Sequence, residues 1–357
     1  MSEDSSDCFQ YFGYQDFKDL EVDPASLQFP ECPIKTCPAM LVKIPYGKSG
    51  KWFCPTHGIR LHSNTFVYWN GEAQKDGARL RNFRVLPNLA KDVALHSVGK
   101  AESHRLGYEM SEDALTWNVF VGLARSGKLG RAVKFLTGRG LDAEPKLYLW
   151  GKLVDIAGAR PEFFEPLGEV RRQLECGIGN FKTEPDVMLV SRELIVCVEA
   201  KFGSGNTLAH EGQVRVGDKP TDPKGLLARY LDQALPKTKG IIDRKRMSEN
   251  FHSQLFRNIV FASAMAKDGD WHVVNLVSTT QWKSREDTKY CSFGNPKASI
   301  QSYLDKSCRE CFSFQTWEGL YGELVKDDAG LGELNIYFRT KSAHYRPAFD
   351  LDTPAEI

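Results

Sequence analysis

The apolar positions of the chain recur with two periods, and each period predicts a kind of element. Residues 194–198 (LIVCV) form an uninterrupted run rich in branched side chains, the pattern of a strand buried on both faces, and residues 187–190 form a shorter run of the same kind. Arg192 and Glu193 lie between them, so two adjacent strands joined by a tight turn are expected. Residues 271–277 read as a further buried strand, and residues 39–44 as a short one. A spacing near 3.6 residues marks the helices. Over 109–125 it aligns Leu115, Val119, Phe120 and Leu123, with Ser111 placed to cap the helix and Glu112 and Asp113 suited to its positive end. Residues 128–138, 225–235 and 248–267 repeat the helical pattern, the last through Phe251, Leu255, Ile259 and Ala262. Residues 147–154 are apolar without a clear type, and 169–175 read as a solvent-facing strand or a short helix. Residues 312–325 are expected to be helical and 333–339 a strand. The order helix, strand, strand, helix, helix, strand predicts an α/β core with a mixed central β-sheet flanked by helices.

Charge collects at one end of the predicted hairpin. Asp186 opens its first strand, and Glu199 and Lys201 close its second. Residues two apart in a strand share a face, so Glu199 and Lys201 project together. Neighbouring carboxylates repel, and burying them is costly unless a cation neutralises them. A hard divalent ion does so through oxygen ligands, to which the Ala200 carbonyl is a further candidate, and a lysine beside it can hold a water or offset charge on a phosphate. The competing reading is an exposed hairpin ending in a Glu199–Lys201 ion pair.

Pro185-Asp186, twelve intervening residues and then Glu199-Ala200-Lys201 resemble the signature of the PD-(D/E)XK nuclease superfamily, over a region spanning 106–285. The resemblance implies a restriction-endonuclease-like core that hydrolyses DNA phosphodiesters with Mg²⁺ or Mn²⁺, held by Asp186 and Glu199. It also implies an acid from the first core helix, a role that Glu112 in the pattern ExxLT matches, with simple helix capping as the alternative. A helix beside the sheet in this superfamily offers a glutamine or a basic side chain, and Gln254 and Arg257 fit that place, where ordinary surface polar residues are the alternative. The turn Gly203-Ser204-Gly205-Asn206 lets backbone approach a phosphate closely, which makes Asn206 a candidate DNA contact. Glu184 is either an extra carboxylate for the site or simply exposed.

Nearer the N-terminus, Cys32 and Cys37, then Cys54 and His57, form two close pairs joined by a loop, the tetrahedral thiolate and imidazole set that a structural Zn²⁺ prefers, with His62 as the rival fourth ligand and unliganded thiols as the alternative. Four protein ligands leave no open position, so this knuckle is read as structural. Arg60, His62, Tyr68 and Trp69 beside it either touch nucleic acid or pack the module. Cys308 and Cys311 form a CxxC without a convincing second pair.

At 357 residues the chain can hold two domains or one with an extension. The reading is a zinc-knuckle module with its lead-in over 1–70, a basic linker or arm over 71–105, a nuclease core over 106–285 and a C-terminal extension packed on it over 286–357. A formal net charge of +1 excludes a global field drawing the chain onto nucleic acid, so any basic surface is local. No apolar stretch approaches the roughly 20 residues that cross a bilayer. An acidic, polar start and nine cysteines point to a reducing, cytoplasmic setting. The expected function is a metal-dependent DNA endonuclease of restriction, phage defence or DNA processing, acting as a homodimer or with a defence-system partner subunit. The alternative is a catalytically inactive zinc-containing DNA-binding or assembly subunit.

Overall fold

Four short strands, β1 (Val42–Ile44), β2 (Lys51–Cys54), β3 (Ile59–Leu61) and β4 (Phe66–Tyr68), pair antiparallel in chain order and enclose a small apolar cluster of their own. The computed structural model describes residues 32–34, 37–45, 50–62, 65–69, 80–94, 106–158, 160–176, 184–210, 215–216, 219–220, 241–243, 250–267, 269–288, 291–344 and 348–352. The expected lead-in over 1–30 and the helix expected over 225–235 lie outside them.

The rest of the described chain supplies β5 (Lys146–Leu149), β6 (Lys152–Leu153), β7 (Val187–Val190), β8 (Leu194–Ala200), then the short β9 (Asn206–His210), β10 (Arg215–Val216), β11 (Lys219–Pro220) and β12 (Asn250–His252), and finally β13 (Asp270–Val277), β14 (Cys291–Ser292) and β15 (Phe312–Thr316). Six of them form one sheet in the order β15-β13-β8-β7-β5-β6. The pairs β6–β5, β5–β7 and β7–β8 are antiparallel, whereas β8–β13 and β13–β15 are parallel, so the sheet is mixed and flanked by helices as the periodicity predicts. The β7–β8 turn is closed by Ser191, whose hydroxyl accepts from the amides of Glu193 and Leu194 at 3.2 and 3.0 Å.

Alternation along β8 assigns its side chains to two cores. Leu194, Val196, Val198 and Ala200 join the cluster built on helix Glu112–Arg125, and Ile195 and Cys197 join the one built on helix Ser253–Ala266. Both faces are covered, which is why the strand reads as a continuous apolar run. Helix Glu112–Arg125 is itself buried on every side from Ala114 to Leu123, the environment of a helix apolar all round. Its Ser111 cap forms as expected, accepting from the Ala114 amide at 3.2 Å. Gly122 lets a second helix, Gly332–His344, lie close, because a Cβ there would stand 2.7 Å from Leu334 Cδ2.

Several expectations are corrected. Residues 333–339 are helical, not a strand: Leu331, Leu334, Phe338 and Lys341 are buried at three- and four-residue intervals, and that stripe overrides the β preference of Ile336, Tyr337 and Phe338. Residues 312–316 form the edge strand β15, with Phe312, Phe314 and Thr316 buried on alternate positions, and only the following residues coil. The helix expected from 248 begins at Ser253, after β12. Residues 147–154 form the β5–β6 hairpin, and 169–175 end a helix, Glu165–Leu174. Residues 80–94, expected as a solvated connection, pack Leu80, Phe83 and Val85 into the main core. Near the end of the described chain Ala348 and Phe349 are buried, the latter ring lying 5.1 Å from those of Phe202 and Phe338.

Candidate active cleft and metal centre

Adjacent strands bring the two acids and the amine together. Asp186 enters β7 and Glu199 and Lys201 leave β8 at the same end of the sheet, and with Glu112, Gln254, Ser204, His62 and Tyr108 they line one cleft of about 620 Å³. Asp186 is fixed from two sides, since its Oδ2 accepts from the Ala200 amide at 2.9 Å and its carbonyl accepts from the Trp150 amide at 3.3 Å. Trp150 stacks on Trp117 of helix Glu112–Arg125, 6.4 Å between ring centres, which ties the Asp186 backbone to the helix that carries Glu112.

Glu199 is buried and its carboxylate is held by three donors. Lys201 Nζ lies 2.7 Å and Gln254 Nε2 2.8 Å from Oε1, and Asn258 Nδ2 lies 2.9 Å from Oε2. Buried carboxylates require such partners. Lys201 also stands 4.0 Å from Glu112 Oε2. Burial opposes its charge, but Glu199, Glu112 and Asp186 outweigh burial and hold its proton affinity above the ordinary lysine range. Lys201 is therefore an ammonium at any working pH. Its carbonyl accepts from Trp317 Nε1 at 3.1 Å and its amide donates to Leu276 O at 2.8 Å, so the backbone at the strand end is locked. The Gly203–Asn206 turn approaches Glu112 rather than lying open: Ser204 donates to Glu112 Oε1 through both its amide, at 3.2 Å, and its hydroxyl, at 2.6 Å.

Not every residue singled out in the sequence reaches this cleft. Asn206 is buried and exchanges hydrogen bonds with Asn275 at 2.8 and 3.3 Å, an arrangement that closes it off from solvent. Arg257 is partly buried and does not line the cleft. Glu184 pairs with Arg171 at 3.3 Å. The sequence reading omits Asn258, although a polar residue four positions after Gln254 shares its helix face. Among the described residues Glu112, Asp186 and Glu199 do not form a group whose ligand atoms close on a single metal position.

The group that does so is Cys32, Cys37, Cys54 and His57, with all four ligand atoms within 4.8 Å of one another. The separations are 3.6 Å from His57 Nδ1 to both Cys32 Sγ and Cys54 Sγ, and 3.7 Å from Cys37 Sγ to Cys54 Sγ. A tetrahedron with Zn–S near 2.3 Å and Zn–N near 2.0–2.1 Å has S–S edges of roughly 3.8 Å and S–N edges of roughly 3.6 Å. The set fits a structural zinc ion. Without an ion the three thiols share their protons unequally: the hydrogen bond from Cys32 holds Cys54 below the ordinary thiol range, and the same bond and burial hold Cys32 above it. His57, and not His62, is the fourth member: Gly58 N donates to Cys54 O at 2.9 Å to form the turn that carries it, and Arg81 fixes the turn by donating to the carbonyls of His57 and Gly58 at 2.6 and 2.9 Å. Of the other residues considered for nucleic acid, Arg60, Tyr68 and Trp69 face inward, with the Arg60 guanidinium 5.3 Å from the Trp69 ring and Arg81 5.0 Å from Tyr68.

Comparisons of the chain with protein-family models, with curated proteins and with solved structures found no match. Among the described residues no helix is long and apolar enough to cross a membrane.

Proposed function

We propose that the chain is a metal-dependent DNA endonuclease with a restriction-endonuclease-like core and a structural zinc module. The observation that carries this reading is the convergence of Asp186, Glu199, Lys201 and Glu112 on one cleft at the end of two adjacent strands. These carboxylates are the oxygen donors that Mg²⁺ or Mn²⁺ takes, with the Ala200 carbonyl between them in sequence. Bound there, the ion would acidify a water and polarise the scissile phosphate. The Lys201 ammonium would offset the negative charge that develops on the phosphate. The same ammonium lies 2.7 Å from Glu199 Oε1, within reach of the carboxylate that would hold the ion. Gln254 and Asn258 keep the Glu199 carboxylate oriented.

One observation favours a second reading. Glu199 is fully bonded by Lys201, Gln254 and Asn258, which is also how an inert buried ion pair satisfies itself, and this supports a zinc-containing DNA-binding or assembly subunit that does not cut. Plasmid nicking decides between the two. The endonuclease nicks supercoiled DNA with Mg²⁺ or Mn²⁺ and stops in EDTA, and Lys201→Ala abolishes nicking while DNA binding persists. Nicking by that variant at the wild-type rate refutes the assigned role, and no nicking by wild type with either ion leaves the binding subunit.

A further inference from the structure

The zinc sheet extends to the candidate cleft through a single stretch of chain. Tyr108 bridges Val67 of β4, flanked by a bond from the Tyr68 amide to Gly107 O at 2.8 Å and one from the Glu109 amide to Phe66 O at 3.1 Å. Residues 107–109 thus lie along the outer edge of the zinc sheet as a further paired segment. The same stretch continues into the Ser111 cap and Glu112. On the other side of β4, the turn after β3 is closed by the His62 amide donating to Thr65 O at 2.8 Å, which places His62 beside Tyr108. Both rings line the cleft and are half-buried, 5.6 Å between centres and 78° between planes. In this edge-to-face arrangement one ring braces the other.

We propose that the zinc module forms a wall of the substrate cleft, and that Tyr108 and His62 stack against the nucleobases beside the phosphodiester. The proposal rests on the endonuclease reading and deepens it by assigning the substrate's bases to this wall. The chemistry suits stacking better than phosphate pairing. Burial, and then Arg60 and Lys51, push the His62 imidazole below its ordinary range, which leaves it neutral at pH 7. Every base has a π-face, so a wall of this kind grips single-stranded or unstacked nucleotides with little sequence preference. A zinc ion held by Cys32, Cys37, Cys54 and His57 would contribute only by fixing the sheet on which both rings stand.

The test is fluorescence anisotropy of a labelled 12-nucleotide single-stranded DNA and its duplex, with Ca²⁺ replacing Mg²⁺, against the full-length wild type, Tyr108→Ala, Tyr108→Phe and His62→Ala. Zinc content and thermal melting report whether each variant is folded. The expected result is single-strand binding weakened roughly 5- to 160-fold by Tyr108→Ala, as base–aromatic stacking contributes, weakened in the same direction by His62→Ala, and kept within about twofold by Tyr108→Phe. Unchanged single-strand binding by folded Tyr108→Ala or His62→Ala overturns the proposal, as does a wild type that binds the duplex alone or neither DNA. Should Tyr108→Ala fail to fold, His62→Ala decides. Failure of the endonuclease reading looks different: the wild type binds in a Tyr108-dependent way but never nicks, in which case the wall stands without the hydrolysis. If the wild type nicks in a Lys201-dependent way and binding ignores Tyr108, the wall alone is wrong.

Discussion

Replacing Asn258 by Asp tests whether the cleft is built around an ionised, donor-held Glu199. The Asn258 amide donates to Glu199 Oε2 over 2.9 Å, and both side chains are almost fully buried. Asn258→Leu removes only the donor. A hydrogen bond to a charged group contributes about 1.5–3 kcal/mol, so that variant should lose roughly this much at every pH. Asn258→Asp removes the donor and also sets a second carboxylate against the first. Two unit charges 3 Å apart repel by about 5 kcal/mol at an effective dielectric constant of 20, an upper limit that Lys201 and proton uptake both reduce. The pair relieves itself by keeping a proton, so its folded pKa rises above the unfolded carboxylate value of about 4. The sign follows. A raised acid stabilises the fold below the unfolded pKa and loses that contribution as pH rises, so Asn258→Asp should be no worse than Asn258→Leu at pH 4, where the retained proton lets it donate to Glu199, and about 2–3 kcal/mol worse at pH 7. Urea titrations at both pH values, read by tryptophan fluorescence, supply the comparison. Adding 10 mM Mg²⁺ at pH 7 should stabilise Asn258→Asp more than Asn258→Leu, since the added carboxylate gives the cation one more charge to neutralise. Parallel losses for the two variants across the pH range would refute the donor-held carboxylate.

Other expectations follow from the packing and the zinc set. Cys54→Ser should bring zinc content measured by mass spectrometry to background and lower the melting temperature, because the enclosed cluster of the N-terminal sheet has little apolar core besides the metal; retained zinc would refute the four-residue set. Lys341→Met leaves Glu109 buried without the ammonium that lies 2.9 Å from its Oε1, a loss of about 3–5 kcal/mol. Burial pushes Glu109 up, but Lys341 and then His344 outweigh it and hold the carboxyl down at about 2, so its contribution is complete above its unfolded pKa and fades as pH falls towards 2. Urea midpoints of wild type and Lys341→Met should therefore converge in acid and differ most near neutrality. Gly122→Ala should cost about 1–3 kcal/mol by forcing Leu334 aside, the opposite sign to the gain of roughly 1 kcal/mol that helix propensity alone would give, and a stabilised variant in thermal melts would show that helix Gly332–His344 yields easily.

Local patterns announced themselves where one neighbour relation set them. The unbroken apolar run from Leu194 favoured an inner strand over an exposed hairpin, and Ser111 followed by two acids favoured a helix start. The two pairs Cys32/Cys37 and Cys54/His57 announced a zinc set because ligand chemistry restricts the residue types, while the choice of His57 over His62 awaited the turn that seats His57 among the thiols. Residues 312–316 and 333–339 depart from their sequence patterns because short aromatic runs satisfy either period, and the side chains that neighbouring layers cover select between them.

The sequence alone determined that an acid, an acid and a lysine would gather at the end of two adjacent strands, since alternation and a tight turn are consequences of covalent geometry. Only the tertiary structure decided what meets them. Glu112 comes from a helix far back in the chain, Asn258 from one beyond β8, and Tyr108 and His62 from the edge of the zinc sheet. Those meetings depend on how separate layers pack, and packing is set by the summed fit of many distant side chains, which no local period records.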